Sequence, residues 1–127
     1  MTLVARMLRF FLFELYRTVP RGHPMISMTV FVKVRPEKRQ EFLLAVRSLN
    51  TDWEIQEGLM KSTLYQETDD ETGFSLIYEW ETKEDCERYL GAENFRVLLG
   101  ALRVLCEKPE IRCSYLSEKL RKLGFDT

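Results

Sequence analysis

From residue 26 onward, the spacing of apolar residues switches repeatedly between the period of a strand and the period of a helix, and this order constrains the fold more than any other feature. Residues 26–34 carry an apolar side chain at every second position, which predicts a strand. Phe42 and Val46 then recur at helical spacing, so a helix is predicted next, ending near Asn50. A strand therefore leads directly into a helix.

Two further strands and a second helical region come next along the chain. Leu59–Glu67 is predicted to be a strand, Phe74–Glu81 carries the alternating pattern of the next strand, and the polar segment 68–73 between them ends in glycine, as a hairpin loop does. Thr82-Lys83-Glu84-Asp85 is a capping-box sequence, which predicts that a helix begins at Lys83. The remaining predicted elements are a helix from Asn94, a strand at Glu110–Leu116 and a short helix within Ser117–Phe125.

The order strand, helix, strand, strand, helix, strand is that of the α+β, ferredoxin-like split βαβ fold (βαββαβ). In this fold an antiparallel four-stranded sheet has both helices on one face. The opposite face would carry Phe31 and Ile77 beside Lys33 and Glu79, a mixture too apolar to be left bare. A second copy packing sheet against sheet would cover it, so a homodimer is predicted.

The first 24 residues form a separate part, with a charge of +3 against −4 for the rest of the chain. As an extra N-terminal helix, this segment would be apolar over most of its surface and would have to be buried. It could pack on the domain or on a partner chain, residues 1–18 could lie in a membrane surface, or Met25 or Met28 could be the working start. The predicted parts are an amphipathic helix and linker at 1–24, the ferredoxin-like domain at 25–117 and a tail at 118–127.

The net charge, the cysteines and the single histidine limit what the protein can bind and where it can function. The formal net charge is −1, which provides no general attraction for nucleic acid. The three cysteines, Cys86, Cys106 and Cys113, form no C-x-x-C pair and have apolar neighbours, so they are predicted to be reduced and buried in a cytoplasmic protein. The single histidine, His23, excludes a metal site built from several histidines.

Aromatic residues provide the candidate site, since the sequence has no standard catalytic motif. Their positions on the predicted elements would gather them between the sheet and the helices, where aromatic faces and Tyr O–H or Trp N–H groups suit a flat, conjugated ligand. The alternative is that they only fill the core. The set comprises Trp53, Tyr65, Tyr78, Trp80, Tyr89 and Phe95.

Residues 78–95, YEWETKEDCERYLGAENF, together with the strand order, resemble the antibiotic biosynthesis monooxygenase family. This dimeric α+β barrel group includes quinol monooxygenases and haem-degrading monooxygenases. The resemblance extends from Met25 to about Ser117. It implies a homodimer, a pocket between sheet and helices, and oxygenation of an electron-rich aromatic substrate, often without metal or flavin.

The resemblance also implies roles for individual residues. Trp80 matches the family's strand tryptophan, which would stack on the substrate or donate a hydrogen bond to it. Tyr89 falls where many members have a histidine, and Val30 where the haem-degrading branch has an asparagine, so haem degradation is not expected. We assign Tyr78, Trp80 and Tyr89 as candidate catalytic residues, and Val30, Trp53, Tyr65 and Phe95 as candidate substrate contacts.

The sequence leaves two functional hypotheses. The first is a monooxygenase that needs no cofactor and acts on a quinol-like or polycyclic aromatic small molecule. The second is a non-catalytic dimeric α+β barrel that binds a small hydrophobic ligand or a partner protein. The missing histidine favours the second, because it removes the side chain best suited to act as a general base near neutral pH.

Overall fold

The computed structural model describes residues 9–16, 26–50 and 56–125, with side chains from 26–49 and 56–125. A five-stranded antiparallel sheet has the strand order β1-β3-β4-β2-β5. The strands are β1 (Arg9–Tyr16), β2 (Ile26–Lys33), β3 (Leu59–Glu67), β4 (Asp70–Trp80) and β5 (Glu110–Cys113). The helices are α1 (Arg39–Asn50), which comes directly after a 3₁₀ turn at Pro36–Lys38, α2 (Lys83–Leu90), α3 (Glu93–Leu105) and α4 (Glu118–Lys122).

The four strands β3-β4-β2-β5, with α1 between β2 and β3 and α2 and α3 between β4 and β5, confirm the α+β, ferredoxin-like fold. The core lies between the helices and one face of the sheet. Cross-strand register places Val30 opposite Leu76, and Leu76 opposite Leu64, and all three are fully buried. The helices cover them with apolar faces that include Phe42 and Leu102.

The predicted N-terminal helix is wrong for residues 9–16, which form β1. This strand pairs with β3 from Arg9 opposite Glu67 to Tyr16 opposite Lys61, with a register shift between Phe11 and Phe13. Aromatic residues favour strands, and pairing with the open edge of β3 satisfies backbone groups of both segments. Of the three alternatives for this region, packing on the domain is the one that this pairing supports, while the rest of residues 1–24 lies outside the described residues.

Two boundaries also differ from the prediction. The hairpin turn is confined to residues 68–69, and β4 begins at Asp70, because the side chain of Asp70 fixes the backbone at the start of this strand. Its Oδ1 accepts hydrogen bonds from the backbone N–H of Thr72 at 2.9 Å and from the hydroxyl of Thr72 at 2.6 Å. At the other end of the domain, β5 stops at Cys113 and not at Leu116.

The three cysteine thiols are free. Cys86 and Cys106 are buried as predicted, but Cys113 is only half-buried, because it lies at the end of the edge strand β5. No helix in the described part of the chain is long and apolar enough to cross a membrane.

Candidate functional site

Four aromatic residues from three elements meet between the sheet and the helices, and we call them the aromatic cluster: Tyr78, Trp80, Tyr89 and Phe95. Tyr89 is at its centre. The Tyr89 ring lies 4.9 Å from Trp80, 5.5 Å from Phe95 and 5.8 Å from Tyr78, measured between ring centroids, and each pair is tilted. These separations are those of favourable aromatic packing.

Local sequence rules explain why these side chains meet. Tyr78 and Trp80 are two apart on β4, so both face the helices. The predicted capping box starts α2 in the correct place, since Thr82 Oγ1 accepts a hydrogen bond from the Asp85 N–H at 3.1 Å. Tyr89 then lies on the buried face of this short helix.

The cluster is closely packed. Trp80 and Phe95 are fully buried, and Tyr78 and Tyr89 are 4% and 7% exposed. Three open cavities of about 350 to 500 Å³ lie elsewhere in the described part of the chain, and no residue of the cluster lines any of them. The rings therefore contact one another, and a ligand that bound between them would have to separate them.

One polar atom in the cluster has no partner. The indole N–H of Trp80 is buried and makes no hydrogen bond to any residue that the structure describes. A buried donor without a partner is unusual, because losing its hydrogen bonds to water costs about 1–3 kcal/mol. An oxygen atom of a bound molecule would remove this cost.

The two phenols of the cluster are held in their neutral form. Burial raises the pKa of Tyr78 above its ordinary value, although its contact with Tyr89 acts in the opposite direction. Burial also raises the pKa of Tyr89 well above its ordinary value, and the neighbouring Tyr78 adds to the effect. Neither residue can therefore act as a general base near neutral pH, but each can donate a hydrogen bond.

The remaining predicted site residues are not all brought together. Val30 is fully buried on β2, two residues along from Met28, which pairs with Tyr78. Tyr65 does not join the cluster, because it pairs with Ser75 and so lies on the opposite face of the sheet from Tyr78. Trp53 lies outside the described residues.

A polar network borders the cluster beyond the end of β4. Arg88 lies 2.8 Å from the carboxylate of Asp85 and 3.2 Å from that of Glu57, and these two acids raise the pKa of the Arg88 guanidinium. The hydroxyl of Thr82 also donates to Asp85, at 2.8 Å. The capping box predicted the roles of Thr82 and Asp85. Nothing in the sequence pattern predicted the roles of Arg88 and Glu57, because their ion pair depends on how the loop before β3 packs against α2.

Among the described residues, no group of three His, Cys, Asp or Glu side chains could hold a metal ion.

Comparison with known proteins defines the class. Residues 25–99 match the family described as "Antibiotic biosynthesis monooxygenase". The protein named "Putative monooxygenase YcnE" from Bacillus subtilis (strain 168) is 33% identical over 85 residues, which are 67% of this chain and 90% of that protein. The chain belongs to the antibiotic biosynthesis monooxygenase family.

Solved structures support the same fold. A conserved protein from Methanosarcina mazei Go1 has a TM-score of 0.67 at 23% identity, covering 72% of this chain and 91% of that one. SnoaB, a cofactor-independent oxygenase from Streptomyces nogalater, has a TM-score of 0.64 at 20% identity, covering 74% of this chain and 93% of that one.

Proposed function

We propose that this protein is a monooxygenase that uses no cofactor and oxidises an electron-rich aromatic molecule, such as a quinol or an anthrone, at the aromatic cluster. The observation that carries this proposal is the buried Trp80 N–H, which has no partner among the described residues. Family membership and the fold shared with SnoaB support the same type of chemistry.

The chemistry requires a substrate that can give up electrons itself. For anthrone, loss of a proton gives a carbanion whose negative charge extends onto its oxygen. The carbanion then reduces O₂, one oxygen atom enters the ring system as a carbonyl, and the other leaves as water. The balance is anthrone plus O₂ giving anthraquinone plus H₂O, so no external reductant is needed.

The protein's part is to stabilise the deprotonated substrate. The Trp80 N–H would donate a hydrogen bond to the substrate oxygen, and the Tyr89 O–H would do the same by exchanging its hydrogen bond with Tyr78 for one with the substrate; the raised pKa of Tyr89 keeps its proton in place for this purpose. The substrate proton is released to solvent, since neither phenol can accept it. Because Tyr89 and Trp80 are in contact, 4.9 Å between centroids, a flat substrate has to separate these two rings as it binds.

The test measures O₂ consumption by the purified protein with anthrone and with a series of hydroquinones. Trp80→Phe keeps most of the buried apolar surface but removes the N–H, and we expect kcat to fall about 10²–10³-fold, as for loss of one oxyanion donor. Tyr89→Phe should reduce kcat as well. Tyr65→Phe is the matched control, because it removes a phenol from the opposite face of the sheet and should leave the rate unchanged.

Close packing of the cluster favours a second candidate, a non-catalytic module that binds a small hydrophobic ligand or a partner protein. The residue at the family's histidine position, Tyr89, fills the centre of the cluster and cannot serve as a base. Saturable binding of anthraquinone without O₂ consumption would support this candidate, and O₂ consumption lost in Trp80→Phe would exclude it.

We further propose that the protein is a homodimer that functions in the reducing cytoplasm. The sheet face opposite the helices carries the half-buried Phe31 and Ile77, and a second copy packed on this face would cover them. The three free thiols support a reducing compartment.

A further inference from the structure

A second site, separate from the aromatic cluster, lies where β2 ends and β5 begins. It is an open cavity of about 350 Å³. Three basic residues line it, together with apolar side chains, and we call it the basic cavity. Its main lining residues are Arg35, Arg103, Lys108, Pro109, Leu123 and Phe125.

Backbone contacts bring the three basic residues together from different elements. Val34 and Cys106 form an isolated antiparallel bridge, and the Arg35 N–H donates to the carbonyl of Leu105 at 3.0 Å. This connection places Arg35 beside the end of α3, where Arg103 lies in the last turn. Lys108 is two residues beyond Cys106, so three positive charges border one cavity.

No carboxylate among the described residues lines this cavity. Glu107, between Cys106 and Lys108, is exposed and does not line the cavity, and Glu110 on β5 forms an ion pair with Arg112. Four basic residues elsewhere in the described ranges, Lys38, Arg88, Arg112 and Arg121, have a carboxylate within ion-pair distance, as Arg121 does with Glu118 at 3.2 Å. For Arg35, Arg103 and Lys108, by contrast, no ion pair is found in the described ranges.

The thiol of Cys106, which is part of the cavity lining, is influenced by the charge of Arg35. Cys106 is buried, and burial raises the pKa of its thiol to about 11, while the positive charge of Arg35 acts in the opposite direction. The guanidinium of Arg35 is therefore close enough to favour a negative charge inside the cavity.

The apolar side of the cavity selects among anions. Leu123 is 41% exposed and Phe125 is half-buried, so both can contact a ligand that enters. The volume lies within the range of small-molecule sites, which is about 300–1,000 Å³. A simple inorganic ion would form ion pairs with the basic residues but would leave the apolar side chains of Leu123 and Phe125 exposed to solvent.

We propose that the basic cavity binds a small organic anion, one that carries a phosphate or a carboxylate next to an aromatic or other apolar group. The anion is held by Arg35, Arg103 and Lys108, and its apolar part packs on Leu123 and Phe125. None of these residues belongs to the aromatic cluster, so this site can exist whether or not the cluster oxidises a substrate.

The experiment titrates the full chain with phenyl phosphate and measures the dissociation constant by calorimetry at low and at physiological salt. Inorganic phosphate and benzyl alcohol are the comparison probes, since each supplies only one half of the proposed ligand. We expect saturable binding of phenyl phosphate that weakens with salt and is several-fold tighter than binding of either comparison probe.

Arg103→Gln should weaken phenyl phosphate binding about 10-fold, which is the effect of losing one charged hydrogen bond. Arg96→Gln is the matched control, because Arg96 is an exposed residue of the same helix that does not line the cavity, and it should have no effect. Both residues are exposed, so both variants should fold, and their melting temperatures check this.

Three results would overturn the proposal: no saturable binding at millimolar phenyl phosphate, equal weakening by Arg103→Gln and Arg96→Gln, or inorganic phosphate binding as tightly as phenyl phosphate. A phosphate and a carboxylate source are then separated by repeating the titration with benzoate. Failure here leaves the O₂ consumption assay at the aromatic cluster unaffected.

Discussion

Gly58 has a backbone conformation that other residues rarely adopt, with φ of +82°. Its carbonyl accepts a hydrogen bond from the Glu81 N–H at 2.8 Å, and this contact closes the loop before β3 onto the end of β4. A Cβ atom added at Gly58 would overlap the carboxylate of Asp85. Replacing Gly58 with another residue would therefore both strain the backbone and create a steric clash.

We expect Gly58→Ala to lower the free energy of unfolding by at least about 1–3 kcal/mol, measured by urea denaturation. Gly100→Ala is the control, because Gly100 lies inside α3 with no atom within 4 Å of an added Cβ. That change should stabilise the protein by about 0.5–1 kcal/mol. Equal effects of the two substitutions would contradict the role given to Gly58.

The buried phenols of Tyr78 and Tyr89 make stability depend on alkaline pH. Their pKa values in the folded chain lie above the ordinary value of 10.0, so the unfolded chain releases these protons first. Stability is therefore full below about pH 10 and falls as the pH rises further. Urea denaturation across this range should show the fall, and it should be less steep in Tyr89→Phe.

Tyrosinate absorbance of the folded protein provides an independent measurement. Of the five tyrosines in the sequence, three, namely Tyr78, Tyr89 and Tyr115, have a pKa raised by burial and should ionise only when the protein unfolds. If all five ionised together near pH 10 without unfolding, the enclosed position of the aromatic cluster would be wrong.

At the level of elements, α2 is the clearest case of a helix specified locally. Thr82 caps it through two hydrogen bonds with Asp85. We expect Thr82→Ala to cost about 1 kcal/mol of unfolding free energy, whereas Thr82→Ser should retain most of it because the hydroxyl is kept. Urea denaturation of the two variants distinguishes them, and equal losses would show that the hydroxyl is not the stabilising group.

Local patterns predicted those elements whose signals lie within a few residues, such as the capping box at Thr82 and the alternation of β4. They failed for β1, because the partner of residues 9–16 is β3, some fifty residues away, and pairing at that distance leaves no mark in a short window. Tyr65 was misplaced for a similar reason. Its face depends on the register of β3, which includes a shift between Leu59 and Lys61.

The basic cavity was also beyond sequence reasoning. Arg35, Arg103 and Lys108 each stand near the end of a different element, where a basic residue is ordinarily solvated. Only the bridge between Val34 and Cys106 brings them together. The aromatic cluster, in contrast, could be predicted, since Tyr78 and Trp80 share a strand face and Tyr89 lies on the helix that the capping box starts.

At the scale of the whole molecule, the proposed homodimer depends on the sheet face opposite the helices. Ile77 is half-buried at the middle of this face. We expect light scattering to give the wild-type protein twice the chain mass of 15.1 kDa, and Ile77→Asp to shift it toward a single chain, because a buried charge at the interface is costly.

Leu44→Asp is the control for that experiment. Leu44 is 66% exposed on α1, which packs on the other side of the sheet, so the same change of charge there should leave the mass unchanged. A wild-type protein that scatters as one chain at all concentrations would exclude the homodimer.

The strand order β1-β3-β4-β2-β5 sets β1 and β5 at opposite borders of the sheet. Four gaps between neighbouring strands separate them, which is roughly 19 Å of lateral distance. A probe attached to β1 and a second one attached to β5 would therefore be separated by about the width of the sheet. Fluorescent labels on the two strands would report any fraying of either border as a change in energy transfer.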